Sequence, residues 1–272
     1  MLIKFSLIIF FTILIIIYFT PIFISILYSF KSDKDVIKQG PLDLPSRFTL
    51  DSFARTIKRI KYFRTLGNTL LITALSVIGA VTLGSLASYA IARSKIKFIK
   101  GMYIFFIAGI LVPYQALIIP IYIMGHHLGF INNTFGVIFL YISHGLPMSI
   151  FILVGFLNTV PIQIEQAAVI DGCNSFQVYW HVVLPVLKPA IFALSVLRSL
   201  LIWNDYLLVR LFLHKNEWQT FTVRLSTFFA QYRYYINNAF AGIILASIPM
   251  IIFFLCAQKY LIKGITAGAL KG

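Results

Sequence analysis

The chain has 272 residues, of which 60% are hydrophobic and only 11% charged, and it carries a net charge of +15. A soluble domain holds roughly 25% charged residues, so this chain has too few polar groups to cover a water-facing surface. In a soluble protein the basic excess would point to nucleic acid. Here the Lys and Arg residues sit between long apolar runs and no nucleic-acid-binding motif accompanies them, so lipid headgroups and topology account for them instead.

Four stretches contain no Asp, Glu, Lys or Arg: residues 5–30, 65–92, 101–164 and 234–258. A helix needs about 20 mostly apolar residues to cross a hydrocarbon core of roughly 30 Å. The first, second and fourth stretches each hold one crossing, and the third holds two. The first is longer than the roughly 7–15 residues of a signal-peptide core, and no small-residue cleavage site follows, so it reads as a retained helix. A weaker run after Pro185 supplies a further crossing. The expected spans are 5–28, 67–91, 102–124, 135–157, 187–209 and 239–261. The runs are too long and too uniformly apolar for barrel strands, so the fold class is an all-α membrane protein with six transmembrane helices in a single domain over 1–272.

Between the first two spans, residues 31–64 hold nine basic residues and four Asp. Thr49-Leu50-Asp51-Ser52-Phe53 reads there as a helix start. The cluster Arg93, Lys95, Lys97 and Lys100 lies in a very short loop and favours the cytoplasm, while the basic 31–64 segment pulls the other way. Lys/Arg counting alone therefore leaves the orientation open. Gly129, Asn132 and Asn133 supply the turn between the third and fourth spans.

The loop 158–185 carries the chemistry. Pro161 starts a short helix on which Ile164, Ala167, Ala168 and Asp171 share one face. The two alanines keep that face low, so another surface can come close. Gly172 can take positive φ and end the helix, and Asn174 or Ser175 can cap a second one. The product is a short helix–turn–helix between two spans, shaped to dock on a soluble partner.

This stretch resembles the EAA loop of ABC-importer permeases: Glu-Ala-Ala, three residues, Gly, nine residues, Ile-x-Leu-Pro. Ala167, Ala168, Gly172, Leu184 and Pro185 fall at the matching positions, and Val182 stands for the Ile. The family's Glu is Gln166 here. Either the contact with the ATPase lacks that charge, or Glu165 or Asp171 provides it. Val112-Pro113 through Pro120, Leu128 to Thr134, and Trp203-Asn204-Asp205-Tyr206 also look like carbohydrate-importer permeases. The end of the chain is similar to the C-terminal tail of the maltose and glycerol-phosphate type, with Thr266, Gly268, Lys271 and Gly272 at matching positions of a tail spanning 262–272.

The resemblance implies a type I ABC-importer permease bundle with a cytoplasmic coupling helix, both termini cytoplasmic, in the bacterial inner membrane. It implies a second permease subunit, two cytoplasmic ATPase subunits and an external solute-binding protein as partners, besides membrane lipid. The implied solute is a sugar, an oligosaccharide or a glycerol-phosphate-like molecule, moved by alternating access. No Gly-x-x-x-x-Gly-Lys-Ser/Thr stretch occurs, so ATP cannot be bound here by a P-loop, and the chain is expected to be non-catalytic and without cofactor.

Arg198 falls near the middle of the fifth span. An arginine there costs roughly 2.5–3.5 kcal/mol or more, so it should face water or a partner. Asp205 is seven residues on, on the same face and about 10 Å along the axis. Arg198, Asn204, Asp205 and His144 are the candidate solute-path residues. A pair with the partner permease is the alternative for Arg198, a kink with Gly145 and Pro147 for His144, and a structural role at the outer end for Asn204 and Asp205. Cys173 and Cys256 suggest neither a disulfide nor a metal site. The alternatives are a lipid-modifying membrane enzyme, which would need clustered acid–base residues where the expected cytoplasmic carboxylates are only Glu165 and Asp171 of the docking loop, and a secondary transporter or channel, which would leave carboxylates inside spans that here hold almost none.

Overall fold

A computed structural model of the chain describes residues 2–230 and 236–269, with side chains described over 4–229 and 236–258. Among the described residues there is no strand. The helices are α1 (Leu2–Phe30), α2 (Asp33–Lys38), α3 (Asp51–Ile60), α4 (Tyr62–Arg93), α5 (Lys97–Leu111), α6 (Ile118–His127), α7 (Thr134–Leu157), α8 (Gln163–Ile170), α9 (Ser175–Val178), α10 (Leu184–Asn204), α11 (Leu207–Phe212), α12 (Phe221–Ala230) and α13 (Ile236–Ala269). A π-helical turn, Tyr179–Val183, joins α9 to α10. Among the described residues, five continuous helical stretches are long and apolar enough to cross a bilayer: Lys4–Phe30, Tyr62–Arg93, Thr134–Leu157, Ser175–Asn204 and Ile236–Gln258.

Two expected spans differ from the observed helices. The span expected over 102–124 is interrupted: α5 ends at Leu111, and the pair Lys97–Leu111 and Tyr114–His127 is bent by 90°. Pro113 has no N–H to offer and crowds the residue before it, and Val112 is extended at φ −80°, ψ 117°. The span expected over 187–209 begins earlier and ends at Asn204. Asn174 starts it with a reciprocal cap: its side chain accepts from the Gln177 amide, and the Gln177 side chain accepts from the Asn174 amide. Asp205 then turns extended, at ψ 128°.

The chain divides into two compact units, Met1–Gly67 with Thr220–Ile251, and Asn68–Gln219 with Ile252–Gly272. In the first unit, none of the most apolar window of α1 is buried, which leaves its side chains to lipid or another subunit. The polar segment after α1 is organised by one buried lysine and a half-exposed ion pair. Lys31 is fully buried; its Nζ donates to the Gly40 carbonyl at 2.7 Å and lies 4.7 Å from the centre of the Tyr28 ring. Arg55 grips both oxygens of Asp33, at 2.8 and 3.2 Å. Asn237 donates to Asp33 at 2.8 Å and to the Lys31 carbonyl at 3.2 Å. Of the basic residues of 31–64, Lys31 is therefore spent inside the fold, while Arg55 stays near the surface.

Asp35 lies in the same segment. The Ser46 hydroxyl, donating at 2.9 Å, is the main influence holding its carboxyl below the ordinary value; burial opposes this and Ser32 assists. A depressed carboxylate lends stability that is present at neutral pH and is lost as pH falls through the lowered pKa. Residues 33–46 should stay protected from hydrogen exchange down to the acid edge of the usual carboxylate range. Ser46→Ala should move the onset of exchange to higher pH.

In the second unit, α4 and α7 approach closely through glycine. A Cβ on Gly84 would sit 2.5 Å from the Ser149 Cβ, so the two backbones can be this near only because that side chain is missing. Asn133 caps α7 by accepting from the Phe135 and Gly136 amides at 3.0 and 3.3 Å. Pro147 is accommodated inside α7.

Candidate functional site

The four candidate solute-path residues come together. His144 of α7, Arg198 and Asn204 of α10, and Asp205 just beyond it line one cavity of about 460 Å³, with Tyr114 and Tyr141 among its other walls. A second cavity, of about 410 Å³, shares Tyr114, His144, Arg198 and Leu201 with the first and is otherwise mainly apolar. These volumes are in the range of small-molecule sites.

Arg198 is 3% exposed. Its Nη2 donates to the Tyr141 carbonyl at 3.2 Å. Its Nε has no hydrogen-bond partner among the described residues, and neither has the buried Tyr114 hydroxyl. Space for the guanidinium depends on Gly145, where a Cβ would sit 2.8 Å from Nη2. Asp205 accepts from the Tyr141 hydroxyl at 2.8 Å and from the Leu207 amide at 2.9 Å. Tyr141 therefore touches Arg198 with its carbonyl and Asp205 with its hydroxyl, spanning the axial distance that keeps the two charges from pairing easily. Asn204 donates to the Leu200 carbonyl of its own helix at 2.9 Å. The Tyr114 and His144 rings lie 4.6 Å apart, centre to centre. A cavity walled by aromatic rings and holding unused donors is chemically suited to a hydroxylated solute.

Sequence reasoning missed Tyr114 and Tyr141. Tyr114 is placed by the bend at Pro113, which hydropathy does not reveal. Tyr141 is one tyrosine within a long uncharged run, and nothing local marks it.

The residues expected to form the coupling loop separate into two groups. Gln166, Ala167, Asp171 and Gly172 are exposed and Ala168 is half-buried. Gly172 takes φ +90° and ends α8, with the Cys173 amide donating to the Ala168 carbonyl at 3.0 Å. Glu165 instead turns inward. It is 6% exposed; its Oε1 accepts from Arg93 Nε at 2.8 Å and lies 2.6 Å from Nη2 in the ion pair. Leu184 and Pro185 open α10 directly after the π-helical turn. Thr266 and Gly268 fall on α13, while Lys271 and Gly272 lie outside the described residues.

The chain thus combines membrane-crossing helices, a short helix–turn–helix between two of them and a cavity walled by those two. The chain belongs to the family described as binding-protein-dependent transport system inner membrane component, whose model matches residues 80–267. It is similar to the probable starch degradation products transport system permease protein AmyC of Thermoanaerobacterium thermosulfurigenes, with 32% identity over 95% of this chain and 94% of that one. It is also similar to the melibiose/raffinose/stachyose import permease protein MelC of Bacillus subtilis (strain 168), with 30% identity over 94% of this chain and 92% of that one. Its fold matches that of a bacterial ABC transporter involved in the import of the acidic polysaccharide alginate, with a TM-score of 0.82 and 21% identity, covering 95% of this chain and 96% of that chain. The chain is a membrane-embedded permease of an ATP-driven importer and not itself an enzyme.

Proposed function

We propose that this permease imports a sugar or oligosaccharide, and that its own residues contact the solute during passage. The observation that carries this reading is the cavity in which His144, Arg198, Asn204 and Asp205 meet Tyr114 and Tyr141, with the Arg198 Nε and the Tyr114 hydroxyl left without partners. Buried donors without acceptors are costly, and sugar hydroxyls would satisfy them. The saccharides for which AmyC and MelC are named support the solute class; a glycerol-phosphate-like solute offers the same acceptor chemistry.

In this reading, residues 1–272 act as one permease domain paired with a second permease subunit. Two ATPase subunits dock from the cytoplasm and an external binding protein delivers the solute. The exposed face of α8, with Gln166, Ala167 and Asp171, meets the ATPase, and Asp171 supplies the negative charge that Gln166 lacks. Glu165 is engaged by Arg93 and supports the loop from within. Both termini lie in the cytoplasm, and the 262–272 tail reaches toward the ATPase pair.

Reconstitution with the ATPase subunits and binding protein tests this. Maltotriose or raffinose should stimulate ATP hydrolysis severalfold over the solute-free rate. Failure of a broad panel of neutral and phosphorylated saccharides to stimulate would sink the sugar reading. Failure of any ATPase subunit to co-purify would sink the importer assembly.

A further inference from the structure

The cytoplasmic third of α4 carries Ser85, Tyr89 and Arg93, spaced four residues apart and therefore stacked on one helix face over about 12 Å. Each touches the coupling loop. Arg93 holds Glu165 on α8 through Nε and Nη2, at 2.8 and 2.6 Å, and its Nη2 also donates to the Val160 carbonyl at 3.3 Å. The Tyr89 ring lies 5.5 Å from the Tyr179 ring, centre to centre. The Ser85 oxygen is 2.7 Å from the Tyr179 hydroxyl. Ser85 donates its one hydroxyl hydrogen to the Thr82 carbonyl at 2.9 Å, so Tyr179 is the donor in the Ser85–Tyr179 bond. Ser85, Glu165 and Tyr179 are all buried.

One stripe thus grips both halves of the loop: α8 through Arg93, and the π-helical turn leading into α10 through Ser85 and Tyr89. We infer that α4 is the element of this chain that receives movement of the coupling loop, with Arg93–Glu165 and Ser85–Tyr179 as the positioning contacts that carry it. The exposed face of α8 is left free for docking, so the stripe separates being docked from being connected. The near-contact of Gly84 with Ser149 ties α4 in turn to α7, on which Tyr141 and Gly145 set Arg198. A packed relay with charged and hydrogen-bonded joints is the kind of network that carries coupling between sites.

This rests on the importer reading above, and the experiment separates the two. The assembled importer carries Cys173→Ser and Cys256→Ser, with Leu201→Cys as a reporter in the cavity wall. Its labelling rate with an anionic methanethiosulfonate reagent is compared in the nucleotide-free and ATP–vanadate states. The ratio of the two rates should differ clearly from one in this background. In Arg93→Glu and in Glu165→Arg it should shrink toward one by about threefold or more, and the swap Arg93→Glu with Glu165→Arg should restore most of it. Arg93→Glu should still co-purify with the ATPase subunits. If the swap fails to accumulate in the membrane, Ser85→Ala with Tyr179→Phe carries the test, with the same loss expected. Single variants that keep the full ratio would overturn the inference, as would loss of ATPase co-purification in Arg93→Glu, which would make the stripe a docking support only. A background that shows no nucleotide response would overturn the importer reading itself.

Discussion

Replacing Arg198 by Met is expected to raise the melting temperature of the purified chain while cutting solute uptake by about one to two orders of magnitude. The two effects have one cause. The side chain is 3% exposed, and its Nε has no partner among the described residues. A cation in the interior of a span costs roughly 2.5–3.5 kcal/mol or more, and the hydrogen bond to the Tyr141 carbonyl returns only about 1.5–3 kcal/mol. Removing the charge relieves the first and forfeits the second. Uptake depends on the donor itself, and a hydrogen bond from a charged group is worth about 10- to 100-fold in binding. Arg198→Gln should lose uptake similarly. Thermal melting and radiolabelled uptake by the assembled complex decide the matter. Unchanged uptake would remove Arg198 from the solute path, and a lower melting point would show that it is a structural strut.

Gly145→Ala is expected to cut solute uptake as the loss of Arg198 does, without touching the arginine, but to lower the melting temperature rather than raise it. The added Cβ would sit 2.8 Å from Arg198 Nη2 and 2.9 Å from the Ala80 Cβ. It is trapped between two neighbours, so either the guanidinium leaves its place or α7 moves off α4. Overpacking of this kind costs about 1–3 kcal/mol. Gly155, on the same helix, provides the control, because a Cβ there would meet nothing within 4 Å. Gly155→Ala should be stabilising by about 0.5–1 kcal/mol, the ordinary gain of Ala over Gly in a helix. Equal behaviour of the two variants in melting and uptake would show that the space at Gly145 has no special use.

The apolar runs announce the crossings because a bilayer imposes one length and one composition on all of them. The cap at Asn174 and the turn at Gly172 were legible for a local reason: each depends on residues within four positions of itself. The cost of a cation in lipid marked Arg198 in the sequence, but that His144, Asn204 and Asp205 line the same cavity depends on the packing of α7 against α10. The bend at Pro113 was not legible. Pro21, Pro147, Pro189 and Pro249 all remain inside helices, so a proline in an apolar run does not by itself mark a break; neighbouring elements decide which one yields. The inward turn of Glu165 was equally hidden, because its partner Arg93 is 72 residues away and no local pattern joins them. Tyr141 was hidden in the same way, since its two partners lie 57 and 64 residues along the chain.

The π-helical turn at Tyr179–Val183 holds one more residue per turn than the α-helices it joins. That surplus sets the rotation of everything before it relative to everything after it. A one-residue deletion there would restore a regular helix and leave composition almost untouched, yet it would swing the loop about 100° around the axis of α10. Length at this point is therefore a phase setting, more constrained than the identity of its exposed side chains, and an indel scan would find it as a sharp gap in tolerance within an otherwise permissive helix.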